Sequence, residues 1–148
     1  MKQIVKFNKF EMKLQDNWQY KTLENLEKEV WEEPDFLSHV VKRANELRKI
    51  PLDQFKTEDI RLMIGQEIGL KYLVPLAIEV LKVDLFAEGD YYEGDLLQMV
   101  LKIPNDFWQT YPDYKKTLNN LIQDRMSEIN ELNIDVSMLY NGRPKSNN

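Results

Sequence analysis

Residues 70–81 read LKYLVPLAIEVL, with only Lys71 and Glu79 charged. A helix that is apolar nearly all round has no face for water and must be surrounded by protein. The stretch therefore predicts the central buried helix of a helical fold, with Pro75 either beginning or kinking it. Everything else in the chain can be arranged around this element.

Working towards the N-terminus, Thr57 followed by Glu58 and Asp59 supplies a side-chain acceptor and negative charge where a helix start has unpaired N–H groups. A helix starting at Thr57 would carry Ile60, Met63, Ile64 and Ile68 on one side, and Gly69 could supply the left-handed residue that ends it. Before it, Phe36, Val40, Ala44 and Leu47 form a stripe at helical spacing between Pro34, which can begin a helix, and Pro51, which closes one. Earlier still, Thr22 is a candidate N-cap for Leu23, Leu26 and Val30, in a helix expected to end near Glu33. Residues 1–21 stay open between two patterns. Phe10, Met12 and Leu14 alternate as in a strand, with Asn8-Lys9 as a hairpin turn, whereas Ile4, Phe7, Leu14 and Trp18 suit a helix.

Towards the C-terminus, a short helix is expected from Asp95 to Lys102 after Gly94, stopped before Pro104, and Asn105 to Thr110 adds another turn or two. Pro112 opens a last long helix whose stripe is Tyr114, Leu118, Leu121, Ile122 and Ile129, and residues 141–148 have the polar, Gly/Pro-bearing composition of a frayed tail. The expected fold is all-α or nearly so: a compact bundle of about five to seven helices, with a short N-terminal hairpin as an alternative. The 148 residues suffice for a single domain with a core of its own. Residues 22–132 would form its helical core and 133–148 a C-terminal extension.

Composition narrows function. The chain is 43% hydrophobic and 30% charged, as in an ordered globular protein, and has no cysteine, which removes disulfides, thiolate metal sites and cysteine catalysis. Its formal charge of -5 argues against nucleic acid as partner and suits a basic protein better. No stretch has the roughly 18 uncharged apolar residues of a membrane span. The start MKQIVKFNKFEMKL lacks the apolar core and cleavage site of a secretory signal, so the expected compartment is the cytoplasm. The one histidine, His39, stands in no metal-binding spacing, and Ser38, Ser127, Ser137 and Ser146 lie in no nucleophile context. Gly65 and Gly69 follow no phosphate-loop pattern and read as packing and capping glycines. Trp31 and Trp108 read as core or core rim, and Arg61 as an ion pair among Glu58, Asp59 and Glu67.

The distinctive segment is VDLFAEGDYYEGDLL, residues 83–97, in which Asp84, Glu88, Asp90, Glu93 and Asp95 stand within twelve residues uninterrupted by a base. Oxygen ligands suit a hard cation, which would make the loop the metal site of a small hydrolase, but the spacing is not that of an EF-hand. A carboxylate pair could do acid–base work if a pocket split its pKa values. Tyrosines with carboxylates also suit protein binding, since the rings offer broad contact area and the charges complement a basic partner. Alternatively, Tyr91 and Tyr92 pin the loop to the core while Asp95 or Asp90 caps the following helix.

The run from LENLEKEVWEEP through LRKIPL, then EDIRLMIGQEIGLKYLVPLAIEVL and AEGDYYEGDLLQMVLKIPNDFW, resembles the helical immunity proteins of bacterial contact-dependent growth inhibition (CDI) systems. The likeness covers about Leu23 to Trp108; Asp84-Leu85 stands before the AEGDYY loop where the pattern is associated with a proline. The resemblance implies a cytosolic protein, encoded beside its toxin, that binds the toxin's C-terminal effector domain and protects the producing cell. Such effector domains are frequently nucleases, whose basic face an acidic inhibitor would complement and occlude. It further implies no catalysis and no cofactor or metal, with a protein toxin as partner rather than nucleic acid or membrane. The candidate contact residues are Glu88, Asp90, Tyr91, Tyr92, Glu93 and Asp95. A generic helical adaptor for some other protein is the remaining alternative.

Overall fold

The computed structural model describes residues 17–32 and 38–141. Nine α-helices follow one another there, five of them of seven residues or more: α1 (Leu23–Glu27), α2 (His39–Leu47), α3 (Thr57–Gly65), α4 (Leu70–Val83), α5 (Asp95–Leu101), α6 (Asn105–Thr110), α7 (Pro112–Gln123), α8 (Met126–Glu131) and α9 (Ser137–Asn141). Two 3-10 turns, Trp18–Tyr20 and Leu52–Gln54, complete the regular structure, and no strand occurs among the described residues. The fold is all-α. Residues 1–16, where the hairpin and helix alternatives mostly fall, and the tail at 142–148 lie outside the described residues.

The central helix is where the apolar pattern puts it. Every residue from Tyr72 to Glu79 of α4 is buried, and α3, α5 and α7 pack around it. Each fully enclosed leucine, such as Leu73, stabilises the fold by roughly 1.5–3 kcal/mol relative to exposure. Pro75 does not open α4 but stands inside it. As the sixth residue it leaves the Lys71 carbonyl without its helical donor, in the first turn.

Several boundaries differ from the sequence reading, each for a physical reason. Thr22 does cap α1, accepting from the Asn25 N–H at 3.1 Å, but the helix stops at Glu27 rather than near Glu33. Lys28 turns left-handed there, and the chain beyond it wraps a buried arginine: Arg48 pairs with Glu27, donates to the Glu29 carbonyl at 2.7 Å and lies 4.5 Å from the Trp31 ring centre. Trp31 is thus rim and Trp108 is core. The second helix begins at His39 behind Ser38, whose hydroxyl accepts from the Val41 N–H, while Pro34 and Phe36 lie outside the described residues. Thr57 is the first helical residue of α3 instead of its cap, and Asp59 accepts from the Lys56 N–H at 2.9 Å.

The residue that ends α3 is Glu67, at φ 56°, with the Ile68 N–H returning to the Met63 carbonyl. Gly69, at φ 64°, opens α4 instead; a Cβ there would meet Leu23 at 2.9 Å. The last long helix is broken. α7 ends at Gln123, and the chain turns through Asp124 and Arg125 so that Ile129, Ile134 and Leu139 return to the core. A straight continuation would carry Ile129 about 10 Å further along the axis from Ile122.

Candidate functional site

The acidic segment leaves α4 and is pinned at its start by burial: Leu85, Phe86 and Ala87 are enclosed, and the Phe86 N–H is held by the Asp84 carboxylate at 3.1 Å. The chain then rises into the loop and re-enters the core at Gly94, whose N–H donates to the Phe86 carbonyl at 3.1 Å. Gly94 adopts φ 87°, and a Cβ there would stand 2.7 Å from the Ile134 side chain, so only glycine fits this return.

Between these points the backbone is organised from beneath by Asp95, which is 2% exposed. Its Oδ1 accepts from the Gly89 N–H at 2.6 Å, and its Oδ2 from the N–H groups of Tyr91 at 3.0 Å and Tyr92 at 3.3 Å. Glu58 on α3 adds a fourth support: its Oε1 accepts from the Asp90 N–H at 2.9 Å. Arg61, one turn later, forks onto the same carboxylate with two 2.7 Å hydrogen bonds, and its Nε stands 4.0 Å from Asp95. The Tyr91 ring covers the guanidinium at 4.4 Å. At Gly89 a Cβ would lie 2.6 Å from the Glu58 carboxylate, so the loop crosses this ion pair at a distance that excludes a side chain.

The electrostatics follow from these contacts. The Arg61 guanidinium holds the Glu58 carboxyl below the usual carboxylate range, aided by the Asp90 N–H and opposed by burial and by Asp95. In return Glu58 and Asp95 raise the already high pKa of Arg61. Negative charge, one arginine and four backbone donors thus form a closed unit under the loop.

The six candidate contact residues fall into two groups. Glu88, Asp90, Tyr91, Tyr92 and Glu93 are exposed, the tyrosines by 70% and 51%, whereas Asp95 lies beneath them with its oxygens engaged by the loop. Pinning falls to Phe86, not to Tyr91 or Tyr92, and Asp95 braces the loop before it rather than capping the helix after it. A cleft of about 230 Å³ opens beside the tyrosines, lined by Arg61, Tyr91, Tyr92, Asp95 and Met99. Among the described residues no three His, Cys, Asp or Glu side chains are grouped to hold a metal ion, and no helix is long and apolar enough to cross a membrane. His39 is exposed at the start of α2, away from this loop in sequence.

Three supports escaped the sequence reading. Glu58 bonds the loop across 32 positions of chain, which no local pattern encodes. Gln98 on α5 clasps the backbone of Asp135, donating to its carbonyl at 3.0 Å and accepting its N–H at 2.9 Å. Met99 lines the cleft and lies 3.1 Å from where a Cβ on Gly65 would be, so that glycine serves close helix packing.

No curated protein and no solved structure matches the chain. The family model of CDI immunity proteins, however, matches residues 25–118, from within α1 to within α7 and including the whole acidic loop and both of its α3 supports. With more than half of its length so matched, the chain belongs to the family of CDI immunity proteins.

Proposed function

We propose that this protein neutralises a CDI toxin by binding its effector domain through the loop at 84–95 and occluding it, in the cytoplasm and without chemistry or cofactor of its own. Glu88, Asp90, Tyr91, Tyr92 and Glu93 make the contact, and Asp95 takes part by holding them in place. The observation that carries this reading is the pairing of two exposed tyrosines with a loop backbone fixed by four hydrogen bonds that its N–H groups donate to Asp95 and Glu58. Exposed aromatic area on a fixed backbone binds with little loss of conformational freedom. Exposed carboxylates around it accelerate encounter with a basic surface, such as the nucleic-acid-binding face of a nuclease.

The test is a calorimetric titration of the purified protein into the effector domain encoded beside it, with co-expression of the two scored for survival. Stoichiometric binding at nanomolar Kd together with rescued growth is the expected result. Absence of both, accompanied by a divalent ion that raises Tm, would replace this reading with a metal-dependent hydrolase.

A further inference from the structure

We propose that the cleft beside Tyr91 and Tyr92 seats one cationic side chain, an arginine or a lysine, of the toxin's effector domain. The inference rests on the toxin-binding reading and names the chemistry of its anchor. The cleft, about 230 Å³, has the size for a single long side chain, and its lining joins two aromatic rings and the Met99 thioether to a charged floor. That combination fits a side chain with an apolar stem and a cationic head: the stem packs on Met99 while the head meets ring faces.

Arg61 and Asp95 cancel within the lining, so the charge around the cleft decides between a cationic and a neutral or anionic occupant. Arg61 is the cation on the wall, but its Nε and Nη2 are engaged by Glu58, its face is covered by Tyr91, and Asp95 stands 4.0 Å from its Nε. Arg61, Glu58 and Asp95 together carry one net negative charge. The exposed carboxylates of Glu88, Asp90 and Glu93 on the same loop add three more. An anionic group entering here would face this excess, and the Nε/Nη2 edge of Arg61 is already taken by Glu58. A purely apolar group would leave the surrounding carboxylates facing the partner uncompensated. A cation stacks on the half-exposed Tyr92 ring as Arg61 already does on Tyr91, and its charge answers the carboxylates.

The experiment is the same titration of the neighbouring effector domain, carried out with paired variants of the full chain. Met99→Glu and Met99→Lys introduce opposite charges at one lining position. A cationic occupant predicts that the lysine variant binds at least about a hundredfold more weakly than the glutamate variant, because like charges in a cleft repel. Tyr92→Phe and Tyr92→Leu act at an exposed position where folding is not at risk. Tyr92→Phe keeps the ring face, and Tyr92→Leu should bind about fivefold to thirtyfold more weakly than Tyr92→Phe, through loss of that face. Equal binding of the two Met99 variants, or the reverse order, overturns the proposal, as does a Tyr92→Leu variant as strong as Tyr92→Phe. If the Met99 variants fail to fold, the Tyr92 pair decides alone. Failure of the unaltered protein to bind overturns the toxin-binding reading itself, whereas binding that ignores the variants overturns only the cationic anchor.

Discussion

α4 and the loop that follows it are neighbours in the chain held by opposite physics. From Tyr72 to Glu79 the helix is buried without interruption, and its stabilisation comes from non-directional removal of apolar surface from water. From Glu88 to Glu93 the loop buries little and is fixed instead by directional bonds to two carboxylates, Asp95 and Glu58. The difference teaches where stability and binding are separately located. Burial makes the scaffold, and hydrogen bonds donated to that scaffold give an exposed surface one shape.

The separation can be broken experimentally. Leu73→Ala, in the enclosed part of α4, should cost about 2–5 kcal/mol in denaturant unfolding, while the folded fraction binds toxin with unchanged affinity. Asp95→Ala should cost less, about 1–3 kcal/mol, because three loop N–H groups lose their acceptor. Its larger effect is local: amide exchange at Gly89, Tyr91 and Tyr92 accelerates and toxin affinity falls. An Asp95→Ala variant with unchanged exchange at these amides would erase the distinction between the two regions.

Smaller effects sharpen it. Gln98→Ala removes both hydrogen bonds to Asp135 and should lower stability by roughly 0.5–1.5 kcal/mol, read as a shift in denaturation midpoint, with the segment around Ile134 exchanging faster. The pH dependence is smaller still. The Glu58 carboxyl is held below its ordinary value in the folded protein, so between that value and the depressed one the unfolded chain binds a proton that the folded chain refuses. Its stabilisation is complete above the ordinary glutamate value of about 4.3 and is lost as pH falls through the depressed folded value. Glu128 and Asp135 are held low in the same direction, by Arg125 and by Ser137, and both lie in the exposed C-terminal part. Comparison with Glu58→Gln isolates the loop's share: the variant should lose less stability than the unaltered protein between pH 6 and pH 3, by about the size of a single-carboxylate linkage.

The same contrast explains what could be read without coordinates. The buried helix at 70–81, the helix starting at Asp95 and the turn at Asn105 to Thr110 are encoded by patterns a few residues long, and the structure keeps them. Where α1 stops is set by Arg48, some twenty positions away, and the break between α7 and α8 contains no glycine or proline to announce it. The loop was legible as an acidic segment with two tyrosines, because composition is local. Which of its carboxylates is buried was not, because burial of Asp95 follows from Gly89, Tyr91 and Tyr92 folding back over it, and the Glu58 support comes from a different helix. Arg61 could be read as an ion pair because Glu58 lies one helical turn before it; its place under Tyr91 could not.

The central claim is that the exposed face of this loop meets the toxin. Its most direct test is the association rate of the effector domain with the unaltered protein and with Glu88→Lys/Glu93→Lys, both at exposed positions, measured at low and at physiological salt. The account predicts a variant that melts as the unaltered protein does, associates at least about tenfold more slowly at low salt, and loses most of its salt dependence. Association at an unchanged rate by a correctly folded variant would contradict it and move the interface to another face of the protein.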